Sequence, residues 1–306
     1  LEFRRVLFRS IRDRRVGMKA VYNRHVPLDY RRIIGWARDI SAVTPAEYAA
    51  MQRPTRLGRF PEDLSRAQGL EFSGLYEDGW MSPDSRVTLG GTPAGGVLRV
   101  RLMVPEIPGT ALGTGQLEVQ VDGWKQALPA TNGTFDWLVP VPRATPATRI
   151  GLHLTATTRL PDGDERPTGA KLELLEALPR LPLRTFDFGV AGTTRPAATG
   201  VDQDGWMETR ATLSLPAGER PLRVKLHVEF PGWAGVPAGR LQLVADGRAE
   251  ALHPLPPGET VAGVIMAPSS APRSLRLELA DAFSLPAPDL RRRGARLLKV
   301  EVEEMP

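Results

Sequence analysis

The sequence predicts an all-β chain: two tandem antiparallel β-sandwich repeats, jelly-roll-like, preceded by a short helical segment. Three observations carry this. The stretch Gly74-Leu75-Tyr76-Glu77-Asp78-Gly79-Trp80-Met81 returns as Gly200-Val201-Asp202-Gln203-Asp204-Gly205-Trp206-Met207, and a pattern kept at a near-constant offset is one fold written twice. Apolar and polar residues alternate with period two in both halves, as half-buried antiparallel strands require. The 29 Pro and 30 Gly are aperiodic and interleaved with Val/Leu runs, which suits many short strands joined by turns.

Leu1 to Ser10 reads as translated adaptor or vector sequence and is set aside from fold reasoning as a non-native leader. On that reading the natural N-terminus is missing, so the lack of a signal peptide here says nothing about the full-length protein. No apolar run in the chain is long enough to cross a bilayer. Residues 11–69 form a basic helical or irregular segment. Tyr30, Ile33, Ile34, Ala37 and Ile40 are spaced as one helical stripe. Thr44-Pro45-Ala46-Glu47 supplies an N-cap, a proline at the first helical position and a glutamate at the third, so a second short helix should reach Met51 before Pro54 stops it. Such a segment serves either as a strut packed on the first sandwich or as a contact with anionic lipid, the only part of the chain suited to a membrane.

At 306 residues the chain holds two domains of ordinary size, with the first repeat placed at 70–180 and the second at 181–306. There is no cysteine, which excludes disulfides and thiolate metal sites and leaves the compartment open. The net charge of +5 is unevenly placed: 15 Lys/Arg face 7 Asp/Glu up to Arg66, leaving 25 against 28 for the remainder. The repeats are therefore not basic, which argues against nucleic acid as a partner.

In the first repeat Leu98, Val100, Leu102 and Val104 alternate with Arg99 and Arg101, and Leu117, Val119 and Val121 alternate with Gln116, Glu118 and Gln120 up to Asp122-Gly123, a tight-hairpin dipeptide. Asn132-Gly133 is a second such signal before Phe135-Asp136-Trp137-Leu138-Val139. Ile150, Leu152 and Leu154, then Lys171 to Glu176, complete the strands. The second repeat answers in order: Leu98 to Leu102 matches Leu222 to Leu226, and Leu117 with Asp122-Gly123 matches Leu241 with Asp246-Gly247, at an offset of 124. Leu160-Pro161, Asp164 and Arg166 match Leu285-Pro286, Asp289 and Arg291 at 125. Pro179-Arg180-Leu181-Pro182-Leu183 reads as a stiff joint that limits motion between the repeats.

No phosphate-cradling loop, nucleophile elbow or His-Glu-x-x-His motif is present, so no catalytic residue, cofactor or metal site is assigned. His153 and His227 lie in strand patterns, where a hydrogen-bonded structural role is expected. Asp162-Gly163-Asp164-Glu165 and Asp202-Gln203-Asp204-Gly205 offer oxygens to calcium, but too few to fill its shell, and Asp-Gly is ordinary turn chemistry. Asp78-Trp80 and Asp204-Trp206 admit two readings: a flat apolar face with an adjacent acceptor for a sugar, or a turn whose tryptophan plugs the sandwich. The plug reading predicts Trp80 and Trp206 mostly buried. Trp124 matches Arg248 in the other repeat and Trp233 matches Thr110, so both are expected to be exposed loop aromatics, available to stack on a ligand.

The run Phe60-Pro61-Glu62-Asp63-Leu64, followed by Leu70-Glu71-Phe72-Ser73-Gly74-Leu75-Tyr76-Glu77-Asp78-Gly79-Trp80 and by Arg166-Pro167-Thr168-Gly169-Ala170, resembles β-sandwich accessory regions attached to bacterial glycosyltransferases and related envelope-glycan proteins. The resemblance runs from about Arg59 onward. It implies a non-catalytic appendage with inner-membrane or envelope association, whose partner is a glycan or a missing upstream domain of the same protein. Asp202-Gln203-Asp204 has the spacing of a glycosyltransferase metal motif but opens a β repeat, so that role is not carried across. Two functions stand: a glycan-binding or glycan-positioning module, and a structural spacer or protein-interaction module. A free-standing hydrolase has no distinguishable carboxylate pair to rest on.

Overall fold

The computed structural model describes residues 11–12, 41–42, 52–66, 69–160, 166–233, 238–289 and 291–306. The helices expected between residues 28 and 40 and between 44 and 51 lie outside these, as do Asp162 to Glu165. What is described is all-β apart from one short helix, α1 (Glu62–Arg66). Strand β1 (Ile11–Arg12) pairs with β2 (Ser41–Ala42). The Asp63 carboxylate accepts the backbone N–H of Gly58 and of Arg59 at 2.8 and 2.9 Å, closing the chain onto the start of α1.

The first half contributes β3 (Arg56–Leu57), β4 (Glu71–Leu75), β5 (Met81–Thr92), β6 (Val97–Val104), β7 (Gly115–Val121), β8 (Trp124–Ala130), β9 (Gly133–Pro140), β10 (Thr145–Leu154), the short pair β11 (Thr158–Arg159) and β12 (Pro167–Thr168), and β13 (Lys171–Leu178). Period-two alternation decides which way each strand faces. Leu98, Val100, Leu102 and Val104 of β6 are buried, while Arg99 and Arg101 point out. One sheet runs β4-β5-β10-β7-β8. Its facing sheet runs β9-β6-β13-β3 and is extended at β9 by one further strand. A single hydrophobic cluster, with Leu57, Met81, Leu117, Trp137 and Leu172 among its members, lies between them.

The second half contributes β14 (Thr185–Asp187), β15 (Thr194–Pro196), β16 (Ala198–Val201), β17 (Trp206–Leu215), β18 (Leu222–Phe230), β19 (Gly239–Ala245), β20 (Arg248–Leu255), β21 (Gly258–Met266), β22 (Arg273–Leu279), the pair β23 (Phe283–Ser284) and β24 (Arg292–Arg293), and β25 (Ala295–Glu304). Its pairings run β16-β17-β22-β19-β20 and β21-β18-β25-β14. The two rows join where Trp206 and Met207 pair with Arg296 and Ala295. In the first half only the isolated bridge Trp80 to Lys171 stands at that place.

The Asp-Gly dipeptides close hairpins as expected. Asp122 and Gly123 have φ of 47° and 93°, Asp246 and Gly247 of 47° and 84°. Two successive left-handed residues give the turn twist that matches paired strands. Each aspartate also binds the neighbouring strand, accepting the N–H of Arg149 or of Ser274. Asn132-Gly133 is different. It carries the chain from β8 in one sheet to β9 in the other, so the dipeptide marks a corner between sheets, with no hairpin there.

The halves are interlocked. Strand β15 adds in parallel to the edge of β9, pairing Thr194, Arg195 and Pro196 with Asp136, Trp137 and Leu138. The Thr194 hydroxyl donates to the Asp136 carboxylate at 2.8 Å, which Arg99 also grips through two nitrogens. Ser214 donates its hydroxyl to Gln126 at 2.6 Å, and Gln203 donates to Thr131 and Asn132. Val97 and Leu138, on the outer side of the first half, belong to the hydrophobic core of the second. Ala197 belongs to the core of the first. At this joint strand pairing and a shared core hold the two halves together, in addition to the linker between them.

Candidate functional site

The repeated octapeptide is a hairpin loop with a fixed hydrogen-bond pattern. In the first copy the Gly79 N–H donates to the Tyr76 carbonyl, the Tyr76 N–H to the Trp80 carbonyl, and the Leu172 N–H to the Gly79 carbonyl, at 3.0, 2.9 and 2.8 Å. In the second, Gly205, Asp202, Trp206 and Leu297 repeat it at 3.1, 2.8 and 2.8 Å. Gly79 and Gly205 share a φ of 87°. The aspartate in each loop receives an arginine fork: Arg166 on Asp78 at 2.7 and 3.1 Å, Arg291 on Asp204 at 2.6 and 3.2 Å. Paired N–H donors in a planar fork match a carboxylate, which explains why Arg166 and Arg291 recur with the loop.

Around this common frame the two copies diverge. Arg166 stacks 4.7 Å from the Tyr76 ring centre. The residue matched to Tyr76 is Asp202, and there Arg291 and Arg293 both bind carboxylate: Arg291 reaches Asp202, Asp204 and Asp289, and Arg293 reaches Asp202 at 2.6 and 3.0 Å. Burial pushes the Asp204 carboxyl up, but the Arg291 hydrogen bonds, the Arg291 charge and hydrogen bonds from nearby backbone N–H groups together hold it below its ordinary value. Arg291 hydrogen bonds likewise hold Asp289 low. Partners Asp204 and Asp289 raise Arg291 further above the ordinary arginine range. Asp202 and Asp204, weighed from sequence as calcium donors, thus face guanidinium groups; among the described residues no group of three or more metal-ligating side chains is placed to hold an ion.

Beside this network the second half builds an aromatic face. Trp206 lies 6.0 Å from Trp233 and 6.4 Å from Phe283, and Trp233 lies 5.5 Å from Phe283, centroid to centroid. The indoles are tilted by 40° to each other and stand nearly edge-on to Phe283. Phe230, buried, supports Phe283 from the core side at 5.8 Å. Arg296 stands across from Trp206 on β25, donating to the Asp204 and Gly189 carbonyls and pairing with Glu229 at 3.8 Å. Half-exposed rings with charged side chains at their border can hold a ligand that has one apolar face and a polar rim. A shallow groove of about 400 Å³ near Thr92 and Pro146 on the first half carries no charged or aromatic side chain, so nothing in it would orient a ligand.

Trp80 and Trp206 are mostly covered, as expected, although strand alternation gives the fully inward place to the next residue: Met81 and Met207 are fully buried in the two cores. One expectation is corrected. Trp124 and Trp233 are half-buried rather than exposed. Trp124 packs on the edge of the first core just after its hairpin turn, and Trp233 is covered on two sides by Trp206 and Phe283. The structure therefore brings Asp204, Trp206 and Trp233 together and leaves Asp78, Trp80 and Trp124 in the other half. Sequence reading missed Phe283, whose counterpart at the offset of 125 is Thr158. The unmatched-aromatic signal that picked out Trp233 would have found it. His153 and His227 are bound by carboxylates, Asp84 for the first and Glu259 with Glu301 for the second.

No protein-family model matches the sequence, and no curated protein does. Among solved structures, the complex of the plant peptide RALF23 with FER and LLG2 is similar at 8% identity and a TM-score of 0.26, over 83% of this chain and 96% of that one. The ANX2 ectodomain from Arabidopsis thaliana is similar at 8% and 0.26, over 73% and 82%. The acetyl xylan esterase Est2A from the rumen bacterium Butyrivibrio proteoclasticus is similar at 15% and 0.21, over 42% and 32%. None of these likenesses bears on fold or function at identities and TM-scores this low.

Proposed function

We propose that this chain is a non-catalytic module of tandem jelly-roll-like β-sandwiches that binds or positions a glycan through its second repeat, as part of a larger bacterial envelope-glycan protein. The matching strand orders of the two halves and their matching Asp-Gly-Trp loops support the tandem reading. The observation that carries the binding reading is the Trp206, Trp233 and Phe283 face beside Arg296, Glu229 and the Asp204 network. A pyranose ring has an apolar face that stacks on indole and equatorial hydroxyls that suit carboxylate and guanidinium. The first repeat keeps the frame without the face, which assigns it support of the second.

Glycan-array screening followed by calorimetric titration tests this. Binding to an envelope-type polysaccharide fragment, weakened by roughly 1 kcal/mol or more in Trp233→Ala, supports the site, since that is the scale of one aromatic contact. Absence of binding, or binding indifferent to this substitution, moves the function to the second reading. That reading, a structural spacer, is favoured by the β9 to β15 joint, where strand pairing and a shared core fix one sandwich against the other.

A further inference from the structure

We propose that the chain self-associates through the outer edge of β21, pairing antiparallel with β21 of a second copy about a two-fold axis at Gly263. Among the described residues β21 is hydrogen-bonded on one side only, to β18. Edge strands of soluble proteins are guarded by lysine, proline, bulges or a covering segment. Here β8 carries Lys125 and Pro129, β20 carries Glu250 and Pro254 with a bulge, and β9 is covered by β15. From Thr260 to Met266, Thr-Val-Ala-Gly-Val-Ile-Met, β21 has no charge, no proline and no bulge.

The chain itself demonstrates what this edge does in the other half. Arg99 pairs with Leu138 and Arg223 with Ile265, so Ile265 holds on β21 the place that Leu138 holds on β9. Leu138 is 1% exposed, buried in the neighbouring sandwich, whereas Ile265 is 53% exposed and Val261, on the same side, 55%. The joint on β9 cannot simply be repeated, because its acceptor Asp136 corresponds to Gly263, which has no carboxylate for an incoming threonine. The β15 strand of any copy is also already held by its own β9. The complement to an edge presenting Val261, Gly263 and Ile265 is the same edge reversed: each valine faces the partner's isoleucine, and the glycines meet at the axis. Apolar β-branched pairs directly opposite one another stabilise such a pairing.

Sedimentation velocity of the whole chain from micromolar to millimolar concentration tests the proposal. The wild type should show a weight-average mass rising toward twice that of the monomer. Val261→Lys with Ile265→Lys places like charges opposite each other and should weaken association by about tenfold or more. Val261→Lys with Ile265→Glu should restore it, because the antiparallel register sets each lysine against a glutamate. Both positions are exposed, so folding, followed by circular dichroism, should be unchanged. A wild type that stays monomeric throughout, association that the double lysine variant leaves intact, or failure of the lysine-glutamate variant to recover would each overturn it.

Discussion

Gly205 and Gly247 have nearly the same backbone, with φ of 87° and 84°, but different surroundings, and alanine at each separates conformational strain from steric exclusion. A Cβ at Gly247 meets nothing within 4 Å, so Gly247→Ala bears only the left-handed penalty of about 1 kcal/mol. A Cβ at Gly205 falls on the carbonyl oxygen of Leu297 and 2.8 Å from that of Phe188, both backbone atoms unable to swing away. Relief requires β25 to move off the loop, which breaks the 2.8 Å bond from the Leu297 N–H to the Gly205 carbonyl at the point where the two rows of strands in the second half join. With one buried hydrogen bond lost on top of the strain, Gly205→Ala should destabilise by about 3 kcal/mol or more. Urea unfolding followed by circular dichroism reads both variants, and a midpoint shift at unchanged slope is a stability change. Equal losses for the two substitutions would refute the argument that the recurring glycine is demanded by close approach of backbone.

Removing Arg291 exposes the role of its carboxylates in pH dependence. Asp204 and Asp289 are held below the ordinary value of 3.8, so their contribution is present above that value and lost as pH falls through the folded values. Arg291→Met should therefore be destabilising at neutral pH by more than it is below pH 3.8, as urea titrations at both will show. Leu138→Ala should lose about 2–5 kcal/mol, and calorimetry should resolve the melting of the two halves, because this side chain is core to the half it does not belong to by sequence. Trp124→Ala should lower stability while leaving any glycan affinity intact, the reverse of Trp233→Ala, since Trp124 packs on the first core and Trp233 on the aromatic face.

The all-β class was legible because both of its signals are local: alternation tells which residues face in, as in β6, and Asp-Gly needs only its own backbone to specify the turn, as in Asp122-Gly123. What depended on a third dimension was not legible. Asn132-Gly133 has the same local chemistry as a hairpin, yet the chain changes sheet there, a choice made by packing. Trp80 and Trp206 were expected to be mostly buried because indoles are large, and they are, but it was not legible that the fully inward places go to Met81 and Met207, since adjacent strand residues cannot both face the core. The recurrence of Arg166 and Arg291 was visible; that each reaches back across more than 80 residues to the Asp-Gly-Trp loop was not, since nothing along the chain marks an ion pair of that separation. Phe283 was not legible by itself, because only its comparison with Thr158 across the offset of 125 marks it as unmatched.

The parallel addition of β15 to β9 makes the two halves unequal under division. A fragment ending in the Pro179 to Leu183 linker would retain every strand of the first half except the borrowed one, and would present Val97 and Leu138 to solvent. The complementary fragment would lack those two side chains from its interior and would have no edge on which to seat Thr194 to Pro196. Asp136 precedes its partner Thr194 by 58 residues, so during synthesis from the N-terminus the receiving edge is made first and can serve as the template on which the second half begins. The two halves in this way make a single object with a direction of assembly, and neither keeps its own surroundings once it is taken out of the pair.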